Sequence, residues 1–283
     1  MARALCEAMR EHGGLLTEED LHRYRATVTD YRGHQVAGVA GPAGCVTVQQ
    51  SLNILEGFTL PVAGDPVQTL NLKAEAFRLA FADRYGHLGD PRHVPVPSRG
   101  LLSKAYAAER RDRIDPARAA LEQEPGNPWA FEPHTLAVPS ASAPWADGGP
   151  ACTTHVCAVD GERNVVTLTL TLVDYFGCAV IVPGTGVLLN NAMLWFDPRS
   201  GRPNSVAPGK RGVHNMAPLL VLRDGRPLLA VGAPGGRRII NAMAQIVMNV
   251  LDEGMGVQEA ITVPRIDCSG PTVLGREVLS RGV

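Results

Sequence analysis

The middle of the chain alternates between two kinds of side chain, and this alternation restricts the fold more than any other feature. Residues 153–159 read TTHVCAV and residues 164–172 read NVVTLTLTL, with the turn GER at 161–163 between them. Successive side chains of a β-strand point to opposite faces of the sheet, so a period of two indicates a strand. The two runs therefore predict an antiparallel β-hairpin whose first strand begins at Thr153 or Thr154.

A second segment further along the chain has the same pattern. Residues 217–236 read APLLVLRDGRPLLAVGAPGG, which predicts a strand, a turn at Asp224 and Gly225, a second strand and a glycine-rich turn. The next residues, RRIINAMAQIVMNVLDEG, predict a helix. Strand pairs that flank helices are typical of an α+β fold, in which two antiparallel sheets pack together with helices outside.

The first half of the chain is mostly helical in pattern. A long amphipathic helix is predicted to end before Pro91, whereas residues 121–150 lose all periodicity and accumulate Pro, Gly, Ser and Ala, which indicates a loop. The apolar face of the long helix consists of Leu70, Ala74, Phe77, Phe81 and Tyr85. The shorter predicted elements are helices at 1–12, from Thr17 onward and at 103–113, a strand at 31–39 and a tight loop at 40–44.

The composition argues against several classes of protein. A net charge of −1 and a pI near 6.7 offer no basic stripe, so we expect no nucleic-acid partner. No apolar run reaches the roughly 18 to 20 residues that a membrane span needs. The six cysteines form no CxxC pair and no finger-like spacing with histidine, so we expect reduced cysteines, no metal site and no cofactor. The compartment stays open.

Thr153 allows two interpretations. A threonine hydroxyl is a poor nucleophile, and the base that it recruits most directly is its own α-amino group, which is free only after the preceding peptide bond is broken. The segment LAVPSASAPWADGGPAC, which ends at Cys152, supplies the flexibility that such a cut requires. Taken alone, a threonine that begins a strand after a loop is an ordinary feature. Cys152 and Cys157 lie beside His155, but near neighbours on a strand do not by themselves make a Cys–His pair, so a cysteine nucleophile is not favoured.

Several motifs occur along the chain in one order. They are TTHVCAVDGERNVVTLTLTLVDYFG (153–177), GTGVLLNNAMLWF (184–196), PNSVAPGKR (203–211), NMAP (215–218) and GAPGGRRI (232–239), preceded by GGLLTEEDLHRY, LNILEGF and EAFRLAFADRYGHLGDP. Together they resemble the γ-glutamyltranspeptidase family over almost the whole chain. The resemblance implies the αββα sandwich of N-terminal-nucleophile (Ntn) hydrolases, with two stacked antiparallel sheets flanked by helices. It also implies an enzyme that cuts itself into two chains.

The resemblance assigns roles to five residues. The bond between Cys152 and Thr153 is the implied cleavage site, and Thr153 is the implied nucleophile. Thr171 matches a second family threonine whose hydroxyl orients the nucleophile, and its place across the hairpin would let the two side chains face each other. Gly235 and Gly236 match paired glycines, whose backbone N–H groups converge before a helix and suit an oxyanion.

The implied substrate-binding positions depart from the family pattern. Relatives that take γ-glutamyl groups hold the substrate amine with polar or acidic side chains, where this sequence has Val173, Ala192 and Trp195. His214 and Asn215 replace a serine pair that holds the substrate carboxylate. These five residues favour an acyl group with an acidic or polar end and no amine, as in a short dicarboxylic monoamide. The alternative for His214 is a purely structural histidine.

The family precursor is longer than this sequence at both ends. We therefore expect residues 1–152 to be the C-terminal part of the large-subunit region, ending in a flexible pre-cleavage loop at about 121–152. Residues 153–283 would be the small, catalytic region, truncated at its C-terminus, and the sandwich would be incomplete. Three hypotheses follow: a self-processing enzyme that acts on a small-molecule amide as a two-chain heterodimer, an inactive remnant, or a subunit that needs a partner chain for the missing region.

Overall fold

The computed structural model describes residues 2–11, 17–23, 25–61, 65–133, 152–181, 186 and 188–270. Helices and two antiparallel sheets make up this part of the chain, which confirms the predicted α+β class. The helices are α1 (Ala2–Glu11), α2 (Glu18–Arg23), α3 (Gly44–Leu55), α4 (Pro66–His87), α5 (Ser98–Leu102), α6 (Lys104–Arg111), α7 (Arg238–Leu251) and α8 (Val257–Thr262). The strands are β1 (Thr27–Tyr31), β2 (His34–Gly38), β3 (Thr153–Val159), β4 (Val165–Thr171), β5 (Leu219–Arg223) and β6 (Arg226–Val231).

The larger sheet has the strand order β1-β2-β5-β6, and every neighbouring pair is antiparallel. β2 pairs with β5, with Val36 opposite Val221, so the sheet joins the two halves of the sequence. Residues 34–38 of the single strand predicted at 31–39 are confirmed as β2, but its start is wrong, because the chain reverses at Arg32 and Gly33. Both residues have positive φ, 52° and 75°, which makes a tight turn between β1 and β2.

Helix α3 was not predicted from the sequence. All of its residues from Gly44 to Leu55 are buried, so it lacks the polar face that gives a helix its 3.6-residue hydrophobic period. It contacts α4, α6 and α7 and packs against β1 and β2. A Cβ on Gly44 would come within 2.5 Å of the backbone oxygen of Asn215, so the close approach at the start of α3 requires glycine.

The long helix predicted before Pro91 is α4, but the prediction that it is amphipathic is wrong in part. Phe77 and Phe81 are fully buried, whereas Leu70 on the predicted apolar face is 48% exposed. Charged residues of the same helix, such as Asp83, are as deeply buried as the phenylalanines. The helix lies inside the protein, so its sequence carries buried polar contacts rather than one polar and one apolar face. The other predicted helices correspond to α1, α2, α6 and α7.

The carboxylate of Asp83 connects elements that are distant in sequence. It accepts hydrogen bonds from Gln50 Nε2 of α3 at 2.5 Å and from the Tyr106 hydroxyl of α6 at 2.9 Å. It also accepts the backbone N–H of Gly126 at 2.7 Å and lies 3.2 Å from Arg110 Nε. Asp83 and Arg110 are both buried, so each charge depends on the other for compensation.

The hairpin predicted from the alternating pattern is confirmed, and β3 begins at Thr153. Its polar face lies next to the larger sheet, where Thr167 Oγ1 donates to the backbone oxygen of Val231 at 3.4 Å. Its other face is apolar and exposed, and we call it the apolar hairpin face. The exposed side chains of this face are Val156 (52%), Val166 (59%), Leu168 (46%) and Leu170 (56%).

The predicted loop at 121–150 is described only up to residue 133, where Pro128–Phe131 forms a 3₁₀ helix. The rest of that loop lies outside the described residues. Among the helices of the described ranges, none has both the length and the apolar character needed to cross a bilayer.

We expect Asp83→Asn to lower the free energy of unfolding by about 3 to 5 kcal/mol, because it leaves the buried Arg110 guanidinium without its counter-charge. The matched control is Asp30→Asn, an exposed side chain on β1, for which we expect a change within about 0.5 kcal/mol. Urea denaturation of both variants measures the difference. A loss below about 1 kcal/mol for Asp83→Asn would mean that this carboxylate does not hold the helices together.

Candidate active site

Thr153 and Thr171 face each other across the open end of the hairpin. Thr153 is the first residue of β3 and pairs with Thr171, the last residue of β4. The Thr153 hydroxyl donates to Thr171 Oγ1 at 3.3 Å, and Thr171 Oγ1 also accepts the backbone N–H of Val173 at 2.8 Å. Thr171 is therefore held by a backbone donor while its oxygen meets the hydroxyl of Thr153.

Val173 makes a left-handed turn directly after β4. Its φ is +74°, a region that β-branched side chains rarely adopt and that costs of order 1 to 3 kcal/mol. The turn brings the carbonyl oxygen of Val173 back to Cys152, whose N–H donates to it at 3.3 Å. The bond between Cys152 and Thr153 consequently lies beside a strained turn that is tied to Thr171.

Gly235 and Gly236 lie in the loop between β6 and α7. Their φ values are +133° and +60°, conformations that favour glycine, and α7 begins two residues later. The hairpin follows this part of the chain, because Thr167 contacts Val231 and the His155 ring lies against Gly232. From Val231 to Gly235, the chain therefore runs toward the end of the hairpin that carries Thr153.

The histidine and asparagine predicted to bind the acyl group lie beside a buried arginine. Arg84 Nη2 of α4 donates to the backbone oxygen of His214 at 2.9 Å and to Asn215 Oδ1 at 3.0 Å. The Trp195 ring lies 6.1 Å from the His214 ring. Burial, together with the charges of Arg84 and Arg211, lowers the pKa of His214 to about 4, so its imidazole is neutral at neutral pH.

Within the described part of the chain, one polar atom of the His214 ring has no hydrogen-bond partner. Nδ1 is buried, and no residue of the described ranges forms a hydrogen bond with it. Asn215, in contrast, has its carbonyl oxygen engaged by Arg84. No local pattern in the sequence indicates Arg84, because it lies in the middle of a long helix and 130 positions before His214.

Val173, Ala192 and Trp195, the three apolar residues at the predicted amine-binding positions, lie on neighbouring segments. The N–H of Asn191 donates to the backbone oxygen of Leu172 at 3.2 Å, which places the segment before Ala192 next to the turn at Val173. The 3₁₀ helix Ala192–Trp195 then leads to the tryptophan that meets His214. None of these side chains can neutralise an ammonium group.

Comparisons with known proteins agree on one family. The family model described as gamma-glutamyltranspeptidase matches residues 1–277. The Acylase ACY 1 proenzyme of Pseudomonas sp. (strain SE83) is 38% identical, with 100% of this chain and 49% of that protein covered. The glutathione hydrolase proenzyme of Escherichia coli (strain K12) is 36% identical, with 94% and 46% covered. The crystal structure of cephalosporin acylase from Bacillus halodurans superposes with a TM-score of 0.70 at 30% identity, with 93% and 45% covered.

The two antiparallel sheets and their helices are those of the Ntn hydrolases, a class of α+β enzymes. Within that class, the chain belongs to the γ-glutamyltranspeptidase family. It spans about half the length of the relatives that it matches.

We expect Val173→Asn to raise the free energy of unfolding by about 1 kcal/mol, because asparagine adopts the left-handed conformation more readily than a β-branched side chain does. Val180→Asn is the matched control, since Val180 is 49% exposed and its φ is not positive. Denaturant unfolding of both variants tests this expectation. If Val173→Asn is no more stable than the unmodified chain, the turn at Val173 is not strained.

Proposed function

We propose that this chain carries the catalytic centre of a self-processing Ntn amidohydrolase or acyltransferase, with Thr153 as the nucleophile. The observation that carries the proposal is the 3.3 Å contact between the Thr153 and Thr171 hydroxyls, with Thr171 held by the N–H of Val173. The names of the relatives support it, since both the acylase and the glutathione hydrolase relatives are proenzymes.

Self-cleavage comes first, because the nitrogen of Thr153 is an amide in the uncut chain and cannot act as a base. Thr153 Oγ1 attacks the carbonyl carbon of Cys152, the C–N bond breaks, and the nitrogen takes a proton to become the free amine. Water then hydrolyses the resulting ester, which leaves a carboxylate on Cys152 and restores the Thr153 hydroxyl. The hydrogen bond from Cys152 to the Val173 turn fixes the scissile bond during this step.

Turnover then uses the new amine as the general base. It takes the proton of Thr153 Oγ1, which attacks the carbonyl carbon of the substrate amide. The N–H groups of Gly235 and Gly236 stabilise the oxyanion, and the leaving amine departs with the proton. Water releases the acyl group in hydrolysis, or an acceptor amine releases it in transfer. Thr171 orients the nucleophile throughout.

The cut would divide the chain into residues 1–152 and residues 153–283, the two subunits of a heterodimer. These parts would stay associated after cleavage, because β2 of the first part pairs with β5 of the second. The packing of α3 against α7 adds a second contact across the division.

We expect the intact mass of the purified chain to show two pieces instead of one species at 30.1 kDa, with the second piece beginning Thr-Thr-His. Thr153→Ala should abolish both cleavage and turnover, whereas Thr153→Ser should retain cleavage because it keeps the hydroxyl. Thr154→Ala is the matched control, since this neighbour is exposed and points to the opposite face of β3.

A single uncut species that Thr153→Ala leaves unchanged would contradict the proposal for this chain alone and indicate an inactive remnant.

One observation favours a further candidate, a subunit that needs a partner chain: the apolar hairpin face is exposed over four large side chains, while the chain spans about half the length of its relatives. Cleavage that begins only when a chain corresponding to the remaining half is added would select this candidate.

For the substrate, we propose the amide of an acid whose acyl group has a polar or acidic end and no amine. Val173, Ala192 and Trp195 offer no charge to an ammonium group, and burying such a group unpaired costs several kcal/mol. Trp195 supplies an apolar wall for the acyl group, and His214 and Asn215 supply the polar groups that meet its polar end. The similarity to proteins named as acylases supports this choice.

Glutaryl para-nitroanilide and γ-glutamyl para-nitroanilide differ only in the α-amine, so they test this proposal directly. We expect the glutaryl compound to have the higher kcat/KM, by about tenfold or more, which corresponds to about 1.4 kcal/mol. Trp195→Asp should lower the ratio of the kcat/KM value for the glutaryl compound to that for the γ-glutamyl compound, because it returns an acidic side chain to the pocket. A higher kcat/KM for the γ-glutamyl compound would contradict the substrate class without contradicting Thr153 as the nucleophile.

A further inference from the structure

A thiol, an imidazole and two hydroxyls lie together on the polar face of the hairpin. Cys157 Sγ lies 3.1 Å from His155 Nε2, and Thr167 Oγ1 lies 3.3 Å from the same nitrogen. On the other side of the ring, His155 Nδ1 lies 2.9 Å from Thr169 Oγ1. Positions 155 and 157 are two apart on a strand, so they share one face, and here the side chains meet. The proposed amide chemistry uses none of these four residues.

The His155 ring is held from a second direction by Gly232. A Cβ at this position would come within 2.1 Å of the ring carbon Cε1 and within 2.3 Å of Nδ1. The ring therefore packs directly on the glycine backbone, which only a residue without a side chain allows. With Nδ1 at Thr169 and the ring edge on Gly232, Nε2 faces Cys157 and Thr167.

The protonation state of His155 suits a proton acceptor. Burial lowers the pKa of His155 below its ordinary value, so the imidazole is neutral at neutral pH. One assignment consistent with the contacts has Nδ1–H donating to Thr169 Oγ1 and Nε2 accepting from the thiol of Cys157, whose sulfur also lies 3.7 Å from Thr167 Oγ1. A histidine whose second nitrogen is fixed in this way is the arrangement that activates a neighbouring thiol.

We propose that Cys157, activated by His155, is a reactive thiol and a site of reversible mixed-disulfide formation with small-molecule disulfides. His155 Nε2 takes the thiol proton, and the thiolate attacks one sulfur of the disulfide. The Cys157–sulfur bond forms as the original S–S bond breaks, and the other half leaves as a thiolate that takes up the proton. Cys157 is oxidised and the leaving sulfur is reduced. Cys157 is exposed, so the disulfide can reach it.

The proposal is independent of the self-cleaving chemistry. Cys157 lies on the same face of β3 as Thr153 and four positions after it, about 13 Å along the strand. The thiol therefore reacts whether or not Thr153 is a nucleophile, and Thr153→Ala should retain the full reactivity of Cys157. Loss of cleavage in that variant would leave this inference untouched, so the two proposals fail separately.

The experiment measures the rate at which each cysteine of the full chain forms a mixed disulfide with glutathione disulfide, by peptide mass spectrometry over time. Cys178 is the matched internal reference, because it is also exposed and no side chain of the described residues hydrogen-bonds to its sulfur. We expect Cys157 to react at least about tenfold faster than Cys178, since the thiolate is the attacking species. Equal rates for the two cysteines would overturn the proposal.

His155→Gln removes the base and should bring Cys157 to within about twofold of Cys178, while the rate of Cys178 stays unchanged. Thr169→Val keeps the imidazole and the side-chain shape but removes the oxygen that orients the ring, so it should give an intermediate rate. An unchanged Cys178 rate and circular dichroism spectrum show that each variant is folded. A folded His155→Gln variant that keeps the fast Cys157 reaction would overturn the proposal.

Discussion

The register of the β3–β4 hairpin is the constraint on which the rest of the site depends. Side chains alternate across a strand, so a slip of one residue would place Thr153 opposite a leucine and move every hydroxyl of β4 to the other face. The observed register lines up Thr153 with Thr171, His155 with Thr169 and Cys157 with Thr167. One pairing pattern therefore creates both the threonine pair and the thiol–imidazole cluster, and it leaves the four side chains of the apolar hairpin face together on the opposite side.

Parts of the structure with a clear local period were predictable from the sequence, and parts whose order depends on distant partners were not. The hairpin, β5, β6 and α7 follow from alternation or helical spacing within one segment. Helix α3 was missed because it is buried on every side, and the strand at 31–39 was misjudged because Arg32, which is not a typical turn residue, adopts a positive φ. The same limit applies to the site. The spacing across the hairpin anticipated the meeting of Thr153 with Thr171, whereas no local signal points to Arg84.

The site lies between a layer of helices held together by many contacts and a hairpin whose outer face is exposed. On one side, α3, α4 and α6 are tied by the Asp83 carboxylate and pack against the larger sheet. On the other side, the hairpin touches that sheet through its polar face and exposes its apolar face to solvent. The Thr153 hydroxyl has fixed partners there, because it donates to Thr171, whose oxygen is held by the N–H of Val173. The proposed cut at this point would not release the two parts, since the larger sheet contains strands from both.

The contact between Gly232 and the His155 ring restricts how this protein can diverge. His155 lies on β3 and Gly232 directly follows β6 of the larger sheet, yet no Cβ fits at 232 while the imidazole keeps its present position at 155. Replacement of the glycine requires either a smaller side chain at 155 or a displacement of the imidazole from its present position. Among descendants of this gene, we therefore expect the codons for residues 155 and 232 to change together. Their paired substitutions would show whether selection retained the imidazole.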